Sequence, residues 1–119
     1  MKPSFILIII LFILFSCKKT EKETRNASLS SNPIEDVIWL KEMKSSMTDC
    51  SCEHSIIQGS YNGQTVYYVA LTDALCDGID TPTLYDNFGR VVKIFTMADY
   101  REFYILVSRD KVLYRCKNQ

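Results

Sequence analysis

The sequence has no excess of charge of either sign, since 14 basic and 14 acidic side chains give a formal net charge of +0. This balance disfavours a nucleic-acid partner, because binders of nucleic acid carry a basic surface. The chain also has a single histidine, and it lacks a nucleophile motif and a Gly-rich phosphate-binding loop. We therefore predict that the protein is not an enzyme, has no cofactor and binds no nucleic acid.

Long hydrophobic runs are absent apart from one, which covers residues 5–15 and follows Lys2. This run of 11 residues is little more than half of the roughly 20 that a membrane-spanning helix needs. A short positive start followed by a short apolar segment is typical of a secretory signal peptide. We predict that residues 1–16 form such a peptide.

The residues at the end of this segment distinguish a lipoprotein signal from a plain one. Leu14, Phe15, Ser16 and Cys17 resemble the bacterial lipobox, although Phe15 is bulkier than the usual residue. The resemblance implies cleavage after Ser16 and acylation of Cys17, whose acyl chains would anchor the protein to a membrane. Lys18 in place of aspartate resembles outer-membrane lipoproteins, so we expect a location there, on the periplasmic or cell-surface face. The alternative is an uncleaved anchor in which Cys17 has no role.

The folded part is expected to begin where the composition changes. Residues 18–32 are polar and lack an apolar period, so with Cys17 we interpret residues 17–32 as a flexible tether. Residues 33–119 then form a single globular domain. Asn32 as cap, Pro33 in the first turn and Glu35 three residues after the cap predict a helix start. Apolar residues at spacings of three and four extend this amphipathic helix over about 14 residues.

Most of the remaining domain is predicted to form strands. Asn62-Gly63 is the strongest short hairpin signal, because both residues tolerate positive φ. Residues 64–71 carry apolar side chains on both faces, which is typical of a central strand. Strands are predicted over residues 55–61, 64–71, 83–85, 90–96, 103–108 and 111–116, the last two as a hairpin, although residues 97–104 could start with a helical turn. The predicted fold class is α+β, with an N-terminal amphipathic helix packed on a small antiparallel sheet of about five or six strands, braced by disulfides.

Four cysteines lie in the predicted domain: Cys50, Cys52, Cys76 and Cys116. An even number in a small exported domain indicates disulfides. A bond between Cys50 and Cys52 would be strained, so two pairings remain open. Either Cys50 pairs with Cys76 and Cys52 with Cys116, or Cys52 pairs with Cys76 and Cys50 with Cys116.

Metal binding is the alternative use of these side chains. Cys50, Cys52, His54 and Cys76 could form a soft-metal cluster. The spacing of the first two thiols is shorter than zinc motifs have, and an exported protein favours disulfides, so we predict no metal site. Aspartates also surround Gly78, but they lack the glutamate of an EF-hand, and we interpret them as turn residues. These aspartates are Asp73, Asp77 and Asp80.

Two strings of the sequence resemble a known group of proteins. Residues 61–69 read YNGQTVYYV, and residues 76–89 contain CDG, TLYD and a final glycine. Over residues 34–94 they resemble a family of small Gram-negative lipoprotein domains of unknown function. The resemblance implies a secreted, lipid-anchored module with an N-terminal helix, and it implies no catalytic residue. The chain departs from the family at Leu75, where relatives often have a second cysteine, and in the C-terminal hairpin ending in Cys116, which replaces a Gly-rich tail.

Tyrosine is abundant, with seven in the chain, and surface tyrosines suit recognition. We predict a non-enzymatic binding or inhibitor-like module whose partner is an envelope or extracellular protein or a glycan, and whose membrane contact is the lipid on Cys17. The candidate binding residues are Tyr61, Tyr67, Tyr68 and Tyr85. Core packing would explain the same tyrosines. The alternative functions are a metal chaperone or sensor that uses the cysteine cluster, and a structural envelope protein.

Overall fold

A computed structural model describes residues 26–118. The predicted signal peptide and Cys17 therefore lie outside the described residues. The helices are α1 Pro33–Asp36, α2 Ile38–Ser46 and α3 Tyr100–Leu106, and a 3-10 turn covers Ala27–Leu29. The strands are β1 His54–Tyr61, β2 Gln64–Leu71, β3 Thr83–Tyr85, β4 Val91–Ile94 and β5 Lys111–Cys116. Within this part of the chain no helix is long and apolar enough to cross a membrane.

The strands form one antiparallel sheet in the order β4-β3-β2-β1-β5. The predicted hairpin is confirmed: β1 and β2 pair from His54 opposite Leu71 to Tyr61 opposite Gln64. Its turn has φ of 50° at Asn62 and 75° at Gly63, the positive values that this dipeptide permits. The α+β class with a five-stranded antiparallel sheet and disulfides is confirmed.

Apolar side chains cover both faces of the sheet, because β2 contributes large residues to each. Tyr67 and Ile56 face the first layer, where they pack with Leu40 of α2 and with Val37. Tyr68 and Ile57 face the second layer, and α3 contributes Phe103 to it. A strand with apolar residues on both faces is buried on both faces, as the alternation of β2 predicts.

The predicted single helix is two helices in the structure, because the chain is extended at Val37 with φ of −104° and ψ of 116°. The side chain of Val37 is fully buried at this break. The expected capping box does not form: the Asn32 side chain makes no capping bond. Glu35 accepts a hydrogen bond at 2.6 Å from Nζ of Lys44 in α2, so it ties the two helices together instead.

The folded part also begins earlier than the predicted boundary at Pro33. Ala27, expected in the flexible tether, is 1% exposed and belongs to the first apolar layer. Its backbone N–H donates to the carbonyl of Asn87 at 3.0 Å, in the turn between β3 and β4. The small side chain of Ala27 fits beneath the helices, a contact that composition does not reveal.

The strand predicted over residues 103–108 is wrong, because residues 103–106 belong to α3 and Val107 is its C-cap. Phe103 and Val107, four residues apart, both pack against the second apolar layer, which is helical spacing. The predicted C-terminal hairpin is therefore absent, and β5 pairs with β1 at the sheet edge instead. This difference accounts for five strands rather than six.

Two disulfides join the helical segment to the far end of the chain and to the central loop. Cys50 pairs with Cys116, with their Cα atoms 5.2 Å apart, and Cys52 pairs with Cys76 at 6.1 Å. This is one of the two pairings that the sequence left open. Both bonds lie at one end of the hairpin β1–β2, close to His54, the first residue of β1.

Candidate binding surface

Several exposed apolar side chains of the described surface lie on α3. Only one residue of this helix, Phe103, is buried. Ile105 is 80% exposed, Tyr104 is 56% exposed and Leu106 is about half exposed. We call Tyr100, Arg101, Tyr104, Ile105 and Leu106 the α3 surface.

Both ends of α3 are fixed to the sheet. Before the helix, an Asp99 carboxylate oxygen accepts hydrogen bonds from the backbone N–H and the hydroxyl of Thr96. Lys93 of β4 places its Nζ 3.3 Å from the other carboxylate oxygen. The hydrogen bond from the Thr96 N–H is the largest of the effects that lower the pKa of Asp99, and together they outweigh its desolvation. The carboxylate is therefore charged at neutral pH and joins the start of α3 to β4.

The end of α3 is joined to β1 and β2 through Ser108. Its backbone N–H donates to the Ser60 carbonyl at 3.0 Å, and the Ser60 N–H donates to its hydroxyl at 2.8 Å. The Tyr68 hydroxyl donates to the Ser108 carbonyl at 3.0 Å. Between these two attachments the Phe103 ring packs edge-on at 5.4 Å from Tyr68. The helix is thus held in place although most of its side chains face outward.

The aromatic rings of the α3 surface contact one another. Tyr100 and Tyr104 are one helical turn apart, and their ring centroids lie 6.4 Å apart in an edge-to-face arrangement. The Arg101 guanidinium lies 6.0 Å from the Tyr100 ring centroid, and its Nε donates to the Tyr100 hydroxyl at 3.3 Å. These contacts restrict the side chains before any partner binds, which lowers the entropy that binding would cost.

An ordinary surface helix carries charged and polar residues toward water. α3 does so with Arg101 and Glu102, but it also exposes Tyr104, Ile105 and Leu106. Exposed aliphatic and aromatic side chains that lie together are typical of interaction sites. Met97, which is 61% exposed in the turn before α3, extends the apolar region. The arrangement can bind an apolar partner surface.

Two of the four predicted binding tyrosines do not face solvent. Tyr67 is 0% exposed and its hydroxyl donates to the Asn87 side chain at 3.2 Å. Tyr68 is buried in the opposite layer. Burial raises the pKa of both hydroxyls. These tyrosines are core residues, and this finding corrects their interpretation as a surface for recognition.

The other two predicted tyrosines are half-buried. The Tyr61 ring packs edge-on against Phe95 at 6.0 Å, at the margin of the second apolar layer. Tyr85 lies 6.1 Å from the Trp39 ring and, with Met43, lines an open cleft of about 300 Å³ between α2 and the sheet. The structure therefore does not bring the four tyrosines together on one surface.

The cysteine cluster offers no free thiolate among the described residues. The Sγ atoms of Cys52 and Cys76 lie within 4.8 Å of an Asp73 carboxylate oxygen, which is a ligand-like grouping, but they are joined in a disulfide. The other candidate ligand, His54, places its Nδ1 2.9 Å from the carbonyl oxygen of Cys52. A sulfur in a disulfide lacks the charge of a thiolate ligand. The oxidised protein therefore cannot use these cysteines as a metal site.

The central loop is shaped by its aspartates. Asp73 accepts from the backbone N–H of Leu75 at 2.9 Å, and Asp80 accepts from the N–H of Leu71 at 2.9 Å. The Asp73 bond is the local turn contact that such residues form with nearby backbone. The Asp80 bond closes the loop back onto the last residue of β2. Both bonds agree with the interpretation of the aspartates as turn residues.

The sequence left a helical turn open over residues 97–104, but a strand was preferred from residue 103, and neither Tyr100 nor Tyr104 was among the predicted binding residues. The spacing of Tyr100, Phe103, Tyr104 and Val107 by three and four residues was the signal that could have revealed the helix. Comparison of the chain with protein-family models, with curated proteins and with solved structures gave no match.

Proposed function

We propose that the protein is a lipid-anchored binding protein of the cell envelope that contacts a protein partner through the α3 surface. The anchor is the acylated Cys17, left after removal of residues 1–16, and the membrane is the outer membrane. The lipobox-like residues and the positive, apolar start of the sequence support this part of the proposal. The described structure supports the binding part.

The observation that carries the binding function is the exposure of Ile105 and Tyr104 on a helix fixed at both ends. Tyr and Arg, both present on the α3 surface, are the residue types that contribute most to binding at protein interfaces. Exposed Ile105 and Leu106 favour a protein over a glycan, because aliphatic side chains bury well against other apolar side chains. A helix of this length spans about 10 Å, so it would form the centre of an interface rather than all of it.

The test is photo-crosslinking in cells with a photoreactive amino acid at position 105. The matched control places the same group at Leu75, which is 95% exposed in the central loop on a different part of the domain. We expect a discrete adduct from position 105 that position 75 does not give. A second series of chains carries the photoreactive group at position 101. In this series the substitution Tyr104→Ser should abolish the same adduct, whereas the substitution Leu75→Ser should leave the adduct in place.

Identical weak adduct patterns at positions 105 and 75 would overturn the binding proposal. That result, together with loss of function only when the tether is deleted, would favour a structural envelope protein. An inhibitor-like role is the case in which the adduct contains an enzyme. The activity of that enzyme should then fall when the purified wild-type lipoprotein is added. The Tyr104→Ser variant of the lipoprotein should not inhibit the enzyme.

A further inference from the structure

A second group of exposed apolar side chains lies where the chain enters the domain. The Ala27 N–H bonds to Asn87, so the segment of residues 26–29 is attached to the turn between β3 and β4. In the same turn Gly89 lies against the Trp39 ring of α2, so closely that an added Cβ would stand 2.8 Å from it. Three separate segments of the chain therefore converge at this point.

Each of these segments exposes one large apolar side chain within two residues of its contact at this point. Leu29 is 84% exposed, Ile38 is 44% exposed and Phe88 is 42% exposed. We call these three residues the entry cluster. The Arg90 guanidinium lies 5.2 Å from the Phe88 ring centroid, and this side chain is largely exposed. Its charge is balanced by the Asp86 carboxylate, which accepts from Nε at 2.7 Å. The three apolar side chains are therefore the part of the cluster that suits the boundary between acyl chains and headgroups.

The length of the chain before the entry cluster limits how far the domain can move from its anchor. Because the segment that begins at Asn26 is attached to the domain, only eight residues, 18–25, lie between Cys17 and it. Fully extended, they reach about 30 Å. These residues include four basic side chains and two acidic ones, Lys18, Lys19, Lys22 and Arg25 against Glu21 and Glu23. An excess of basic charge favours a short distance to anionic lipid, in addition to the anchor.

We propose that the entry cluster rests on the lipid surface that holds the anchor. This inference depends on the lipid anchor of the proposed function. Confinement within about 30 Å of the bilayer raises the effective concentration of the lipid surface, so even a small apolar cluster is sufficient for docking. The helices beside the entry cluster cover the first layer of the sheet, whereas α3 covers the second. Docking therefore leaves the α3 surface facing away from the lipid.

Trp39, the single tryptophan of the chain, is a native probe for this contact. The experiment compares its fluorescence in the full-length lipidated protein on phosphatidylglycerol and phosphatidylethanolamine vesicles, with and without bromine on the acyl chains. Bromine quenches only nearby tryptophan. We expect several-fold stronger quenching for the wild-type protein than for the double variant Leu29→Ser/Phe88→Ser. The matched control, Leu75→Ser in the central loop, changes a side chain that is 95% exposed and should be quenched as the wild-type protein is.

Sedimentation of the vesicles separates the possible failures. Protein that sediments with the vesicles but shows no bromine quenching would refute the docking while leaving the anchor intact. Quenching that the double variant retains would refute the role of the entry cluster. Protein that stays in the supernatant would refute the anchor, and the docking with it. The near-ultraviolet circular dichroism of each variant verifies that it is folded.

Discussion

Replacement of Phe103 by alanine should strongly destabilise the protein, whereas replacement of its neighbour Tyr104 should hardly affect stability. Phe103 is 3% exposed and is the one buried residue of α3. Its ring packs at 5.4 Å from Tyr68 and at 5.5 Å from Phe95. Removal of a buried phenylalanine side chain costs about 3–5 kcal/mol, because the contacts are lost and a cavity remains. Since small domains are stable by about 5–15 kcal/mol, this loss is a large share of the total.

Tyr104 differs because water already reaches more than half of it. Its contacts with Tyr100 and Phe103 contribute about 1 kcal/mol at most, which is the expected cost of Tyr104→Ala. The assay is urea unfolding followed by circular dichroism, in which Phe103→Ala lowers the midpoint strongly and Tyr104→Ala does not. Equal shifts for the two variants would show that α3 is not attached through Phe103, and the interpretation of its outer face would fail with it.

Three further outcomes follow from the structure. Replacing Cys52 and Cys76 together by serine should lower the free energy of unfolding by about 3 kcal/mol, as measured by urea unfolding, because a loop of 24 residues is released in the unfolded chain. Gly59→Ala should cost about 1–3 kcal/mol or prevent folding, since its Cβ would overlap the Ser108 carbonyl. The control Gly63→Ala has open space and should cost about 1 kcal/mol for its positive φ. The third outcome is a loss of stability at low pH. Thermal melts of the wild-type protein and of Asp86→Asn between pH 3 and 7 measure it. Burial would raise the pKa of Asp86, but backbone hydrogen bonds from Arg90 and Phe88 and the Arg90 guanidinium lower it overall. The charged Asp86 carboxylate therefore contributes its full stabilisation above the unfolded pKa of about 3.9. That contribution is lost as the pH falls through the lower pKa of the folded protein, and the asparagine variant should not show this loss.

The sequence was sufficient to predict the hairpin because its signals are local. Asn62-Gly63 permits the turn, and the alternation in β2 places Tyr67 and Tyr68 on opposite faces. Those same patterns could not show which tyrosines are buried. The first layer is closed by helices that lie before the sheet in the chain, and the second by α3, which lies after most of it. Burial of Tyr67 and Tyr68 is thus a property of the assembled domain.

The candidate surface was harder to predict, because α3 has the composition of a strand. Tyr, Phe, Ile, Leu and Val are frequent in strands, and the run of residues 103–107 has no interior glycine or proline to decide the matter. Tertiary contacts favour the helix instead: Phe103 and Val107 both reach the second layer, and Ser108 bonds to β1. Tertiary context overrode propensity here, and the exposed face became visible only once the helix was recognised.

The two ends of the domain are stabilised differently, and this difference agrees with the proposed orientation. Both disulfides lie at the end of the hairpin where β1 begins, close to His54. The entry cluster is held by no disulfide among the described residues, and its three segments meet through the bond between Ala27 and Asn87 and the packing of Gly89 on Trp39. A lipid surface covering this end would remove apolar area from water at about 25 cal/mol for each Å². We therefore expect lipid to stabilise the end of the domain that lacks covalent bonds, and the disulfides to stabilise the end that contacts water.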